Sequence, residues 1–151
     1  MASVYIYTDG ASRGNPGPSA SGYLILDKNS QKLSSMEIFN GVKTNNFAEY
    51  TAIIKALDWT AKNLGVKNSV ELYSDSELVI KQLNGQYKVK SQELRKLNNE
   101  AMKLAALFEE CKFINVRREN RYISAVDKAI NRLLDNIKNG KSALRGKQSK
   151  L

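Results

Sequence analysis

Hydrophobic and polar positions change period several times along the chain, and each change marks an element. Ser3 to Thr8 (SVYIYT) is β-branched and aromatic, closes at Asp9-Gly10, and predicts a strand buried on both faces. Ser21 to Asp27 and Lys32 to Asn40 predict two further strands, joined by a turn at Lys28-Asn29-Ser30, so the first three strands form an antiparallel meander. From Phe47 the period becomes helical: Phe47, Tyr50, Ile54, Leu57 and Ala61 recur at steps of three and four as far as Asn63, and Gly65 stops the run. Ser69 to Ser74 (SVELYS) reads as a fourth strand, and Ser76 to Leu83 as a short helix ended by Asn84-Gly85. Leu94, Leu97, Ala101, Leu104 and Phe108 mark a third helix, Lys112 to Arg117 (KFINVR) a fifth strand, and Ala125 to Ile137 a last helix capped by Gly140. The order βββαβααβα predicts an α/β fold, a mixed five-stranded sheet with helices packed against it.

The chain contains neither an internal repeat nor a Pro/Gly/Ser-rich linker, since Pro16 and Pro18 share one early turn. Residues 1–139 read as one domain and 140–151 as a basic tail, where Lys141, Arg145, Lys147 and Lys150 stand without an acid. Charge changes the picture more than size does. With 24 Lys+Arg against 15 Asp+Glu, a net charge of +9 points to a polyanionic partner, most often nucleic acid. Without His the chain has no Ser-His or Cys-His relay and no imidazole ligand for zinc. Cys111 stands at the end of a helical pattern near Phe113 and reads as a small core hydrophobe of a reducing, cytoplasmic setting. No apolar run approaches the length of a membrane span, and monomer is the default assembly.

Three acids stand at the ends of elements. Asp9 closes the first strand, Glu49 lies in the first turn of the long helix, and Asp75 follows the fourth strand. Each has a local explanation: Asp9-Gly10 as a turn, Asn46 to Glu49 and Ser74 to Glu77 as capping boxes. Taken together they suggest more, because strand ends and helix starts of an α/β layer share one edge. Carboxylates gathered there repel unless cations stand between them, and an all-oxygen ligand set suits Mg²⁺ or Mn²⁺. Paired ions of that kind serve phosphodiester cleavage, which matches a His-free, acid-lined site on a basic protein.

Three blocks carry a resemblance. Thr8-Asp-Gly-Ala-Ser-Arg-Gly-Asn-Pro-Gly17, Thr44-Asn-Asn-Phe-Ala-Glu-Tyr50 and Tyr73-Ser-Asp-Ser-Glu-Leu-Val-Ile80 are similar, in order and spacing, to the signature blocks of type 1 ribonuclease H. The likeness runs over residues 3–138 and is strongest toward the compact archaeal and bacterial branch. It implies a ribonuclease H-like fold and an endonuclease that hydrolyses the RNA strand of an RNA/DNA hybrid with four carboxylates and two ions, Mg²⁺ or Mn²⁺. Double-stranded RNA is a second candidate substrate. The products would carry 3′-hydroxyl and 5′-phosphate ends. A non-catalytic module of the same fold, binding hybrids or double-stranded RNA, is the alternative reading.

The resemblance places the first three carboxylates on Asp9, Glu49 and Asp75, and the fourth at the start of the last helix. There Arg118 to Asp127 (RENRYISAVD) departs from the family's spacing, so Asp127 is the match and Glu119 the runner-up. By the same implication Asp9 is shared between the ions, Glu49 and Asp75 complete the ion at the leaving oxygen, and Asp127 holds the ion at the attacking water. The loop His common in the family is absent, and Arg118 or Glu119 is the candidate for its role. Asn15, Thr44, Asn45 and Asn46 are the implied contacts to backbone and sugar. Amides and hydroxyls at a helix N-terminus suit phosphate, and a 2′-hydroxyl needs a partner to be told from deoxyribose. Independently of the resemblance, Tyr87 interleaved with Lys88 and Lys90 beside a Gly turn suggests a contact to the DNA strand, with Arg118 extending the basic footprint.

Overall fold

A computed structural model describes residues 2–140, so most of the expected tail, 141–151, lies outside the described residues. The elements follow as β1 (Ala2–Ser12), β2 (Gly17–Asp27), β3 (Lys32–Lys43), α1 (Asn45–Leu64), β4 (Asn68–Ser74), α2 (Glu77–Leu83), α3 (Gln92–Ala105), β5 (Glu110–Asn115) and α4 (Arg121–Lys138). The sheet order is β3-β2-β1-β4-β5. The antiparallel meander β1-β2-β3 forms as expected, and β4 and β5 add to it in parallel.

Helices cover the sheet unequally. On one face α1 buries Tyr50, Ile53 and Leu57 against Val4, Ile6, Ile25, Val70 and Leu72, with α2 and α3 packed beside it. On the other face α4 sets Val126, Ile130, Leu133 and Leu134 against Ala20, Tyr7, Leu24 and Phe39. Although α4 crosses β1 on this face, it covers that strand only in part, so the expectation that β1 is buried on both faces is not met. Val4, Ile6 and Thr8 are buried, whereas Tyr5 and Tyr7 on the alternate face are only half-buried.

Two glycines set how closely the helices approach. A Cβ at Gly10 would lie 2.5 Å from Ala48 C and Glu49 N, so only glycine lets the backbone of α1 rest on β1 there. Ser21 Oγ donates to Ala48 O at 2.6 Å beside it. On the opposite face a Cβ at Gly22 would meet Ile130 Cγ2 at 2.7 Å, which lets α4 sit against β2.

Several boundaries move, for local physical reasons. β1 does not end at Asp9 but runs to Ser12, because Asp9↔Gly22 through Ser12↔Ser19 still pair with a β2 that begins at Gly17. Helix α1 starts at Asn45, with Thr44 as its cap: Thr44 Oγ1 accepts from Phe47 N at 3.2 Å. Glu49 therefore lies beyond the first turn and Asn46 is not the cap, which corrects the capping-box reading. Ser76, not Ser74, caps α2. Helix α3 ends at Ala105, leaving Phe108 outside it, and Cys111 belongs to β5, which spans Glu110–Asn115 and excludes Arg117. Asn120 Oδ1 accepts from Tyr122 N and Ile123 N, starting α4 at Arg121 rather than Ala125.

Candidate active site

Strands β1 and β4 run parallel, and their last pair is Tyr7↔Tyr73. Beyond it β4 stops while β1 continues along β2, so Asp9 and Asp75 come to the same carboxyl-end edge of the sheet. α1 lies over Gly10 and delivers Glu49 to that edge. One carboxylate oxygen from each of Asp9, Glu49 and Asp75 lies within 4.8 Å of the others. Asp9 is 3% and Glu49 8% exposed, and Glu49 Oε1 is buried without a hydrogen-bond partner.

Three carboxylates cannot all be charged cheaply in so dry a place. Burial, then the neighbouring Asp75 and Asp127, push Asp9 from 3.8 up to about 8, although the Gly10 backbone amide offsets part of this. Glu49 is pushed well up by burial and by Asp9 and Asp75. Arg118 supplies opposite charge: its Nε stands 3.4 Å from Asp75 Oδ2, with its side chain 78% exposed. An orphaned oxygen and a repelling, all-oxygen donor set are what a hard divalent cation would satisfy, so the residues present fit Mg²⁺ or Mn²⁺.

Asp127 lies outside that cluster but beside Asp9, close enough for their carboxyls to share a hydrogen bond. It sits in the second turn of α4, not at its start, so the helix-dipole explanation for an acid there does not hold. Asn131 Nδ2 donates to its Oδ1 at 3.1 Å. Glu119 is exposed and is not part of the cluster.

The remaining expected residues fall into two places. Asn15 Oδ1 accepts from Asn45 N at 3.0 Å, Asn45 Oδ1 accepts from Ser12 N at 2.8 Å, and Thr44 caps α1. Their oxygens hold the first loop to the helix start, while the Asn15 and Asn45 side-chain amides make no hydrogen bond among the described residues. Asn46 follows in the first turn, half-buried. Tyr87, Lys88 and Lys90 gather elsewhere, around a groove of about 650 Å³ between α2 and α3. Tyr87 is 46% exposed, and Lys81, a residue the sequence did not single out, lies 5.0 Å above its ring. The groove is tied to the acids: buried Tyr50, next to Glu49, donates from its hydroxyl to groove-lining Gln82 Oε1 at 2.7 Å. The sequence marks Tyr50 only as part of the apolar face of α1 and does not mark Lys81, because the link each makes to the groove runs across elements.

Residues 7–129 match the family described as reverse transcriptase-like. Ribonuclease HI of Halobacterium salinarum is 38% identical over 115 residues, which are 76% of this chain and 57% of that protein. The crystal structure of the Halobacterium RNase H1 superposes with a TM-score of 0.81 at 36% identity, covering 89% of this chain and 98% of that one. The N-terminal RNase H domain of Rv2228c from Mycobacterium tuberculosis gives 0.85 at 33% identity, covering 93% and 99%. The whole Rv2228c protein is called bifunctional, and the matched 121 residues are only 33% of its length. LC11-RNase H1, solved in complex with an RNA/DNA hybrid, gives 0.76 at 34% identity over 87% of this chain and 99% of that one. The matched part of this chain thus spans little more than half of the Halobacterium relative and a third of the mycobacterial one. No helix among the described residues is long and apolar enough to cross a membrane.

Proposed function

Since this chain belongs to the type 1 ribonuclease H branch of the reverse transcriptase-like family, we propose that it is an endoribonuclease cutting the RNA strand of RNA/DNA hybrids. The observation that carries the reading is the buried Asp9-Glu49-Asp75 cluster with the unpartnered Glu49 oxygen. Asp9, Glu49 and Asp75 would hold one Mg²⁺ or Mn²⁺, and Asp9 with Asp127 a second. Bound there, such ions supply an activated water and charge stabilisation at the leaving 3′ oxygen, giving 3′-hydroxyl and 5′-phosphate ends.

The chain's own residues do the rest. Asp9, which feels both Asp75 and Asp127, would be the carboxylate that both positions share. Glu49 and Asp75 come from different elements and keep their spacing because α1 is seated on Gly10. Asn15, Thr44, Asn45 and Asn46 line the start of α1, where amides and hydroxyls suit phosphate oxygens and 2′-hydroxyls. Tyr87, Lys88 and Lys90 offer a ring and two cations to the DNA strand, and Arg118 a cation beside the cleavage site.

The test is cleavage of one end-labelled RNA, presented alone, paired to DNA and paired to RNA, with Mg²⁺, Mn²⁺ or EDTA. Metal-dependent internal cuts in the hybrid, lost in Asp9→Asn, are expected, and the RNA/RNA lane decides the second substrate. Binding without cutting under every metal would overturn the reading in favour of a non-catalytic module.

A further inference from the structure

An arginine in the first loop reaches the last helix, 118 positions away. Arg13 Nη2 donates to Asn131 O at 3.1 Å and to Asn131 Oδ1 at 3.3 Å, and pairs with Asp135 Oδ1 at 2.6 Å. From the other end of the same amide, Asn131 Nδ2 donates to Asp127 Oδ1 at 3.1 Å and to Asp127 O at 3.0 Å. Asp127, Asn131 and Asp135 follow at steps of four, so they form one stripe of α4. A side-chain amide whose oxygen is engaged by a guanidinium turns only its NH₂ to a second partner. Arg13 therefore fixes which end of Asn131 faces the Asp127 carboxylate.

The loop carrying Arg13 is itself anchored. Arg13 N donates to Pro18 O at 2.8 Å, and Asn15, two residues on, accepts from Asn45 N at the start of α1. One loop thus touches both helices that bear acids of the site, α1 with Glu49 and α4 with Asp127.

We propose that Asn131 and Arg13 are positioning residues that hold the Asp127 carboxylate beside Asp9. The proposal rests on the nuclease reading above. Asp127 needs such a hold because a carboxylate in the second turn of α4 has no free helix N-terminal amide to accept from. Asn131 is the side chain that donates to it. Without that donor Asp127 is free to turn from Asp9 toward solvent, and the position they would share loses a ligand, whereas the Asp9-Glu49-Asp75 cluster is untouched.

The experiment is Mn²⁺ binding to the full chain without nucleic acid, followed by calorimetry, with thermal unfolding confirming that each variant is folded. Asp127→Asn identifies the binding event that depends on Asp127. Asn131→Ala should weaken that same event about tenfold or more, the worth of one hydrogen bond to a charged group, and leave the other event unchanged. Arg13→Gln should do the same more mildly. In the Asp127→Asn background Asn131→Ala should have no further effect, which a merely structural role would not reproduce. Parent-like Mn²⁺ binding in folded Asn131→Ala, or an equal loss in the Asp127→Asn background, would overturn the relay alone. Mn²⁺ binding indifferent to both Asp9→Asn and Glu49→Gln would instead overturn the nuclease reading beneath it.

Discussion

Tyr7 and Tyr73 stack with ring centroids 4.9 Å apart and planes 12° from parallel, and each stands two residues before an acid of the site, Asp9 and Asp75. They are the last rung of the parallel β1/β4 ladder. The stack therefore closes the β1/β4 ladder just before the two acids, and Tyr122 of α4 packs on Tyr7 at 4.8 Å between centroids.

Tyr73→Ala should accordingly cost about 2 kcal/mol, from a half-buried ring and a lost aromatic pair. Tyr73→Phe keeps the stack but gives up the hydroxyl bond to Glu71, and should stay within about 1 kcal/mol of the parent. Urea unfolding of the two variants checks this; equal losses would show that the hydroxyl, not the ring, matters.

The pH dependence of stability follows from the raised acids. Asp9 and Glu49 hold protons more tightly in the folded chain than in an unfolded one, so the folded state binds more protons. Their contribution is complete below the ordinary carboxylate value of 3.8 and is lost as pH rises through about 8. The metal-free protein should therefore lose Tm across that window. Asp9→Asn should flatten the slope and raise Tm at pH 8 by several degrees, and Mn²⁺ should raise the parent's Tm more at pH 8 than at pH 5. Scanning calorimetry with and without EDTA measures both; a parent Tm that climbs from pH 5 to pH 8 in EDTA would contradict the burial of charge described above.

Gly10→Ala tests the seat of α1. The added methyl would lie 2.5 Å from backbone atoms of Ala48 and Glu49, which no rotamer change relieves. A loss of about 1–3 kcal/mol is expected from overpacking, with hybrid cleavage falling at least tenfold because Glu49 is displaced. A folded Gly10→Ala with unchanged cleavage would mean that the spacing of Glu49 from Asp9 is not critical.

Arg118→Ala separates charge from stability. The pair with Asp75 is largely solvent-exposed on the arginine side, so stability should change by no more than about 0.5 kcal/mol. Hybrid affinity should fall and its salt slope should shrink by about one, the signature of one lost phosphate contact. Filter binding across a salt series reads this, and an unchanged slope would leave Arg118 as a partner of Asp75 alone.

Much of the protein is written locally. The β-branched and aromatic run SVYIYT, the alternation in KFINVR, the helical spacing of Phe47 to Ala61 and the apolar face Ile130 to Ile137 each encode an element through its own neighbours, so element order needed no tertiary information. Asp9, Glu49 and Asp75 were legible for the same reason, as acids where strands and helices change over. Boundaries were less so. Thr44 rather than Asn46 caps α1, and Asn120 begins α4 four residues early, because neighbouring polar residues compete for one cap and only the folded backbone chooses between them. What tertiary structure alone decided is which distant groups meet. The register Asp9↔Gly22 carries β1 past the end of β4, Gly10 and Gly22 let a helix down on each face, and Arg13 finds Asn131 across 118 positions. Such meetings depend on strand pairing and on which face a helix covers, and these are set by the burial of the whole core rather than by any residue's sequence neighbours.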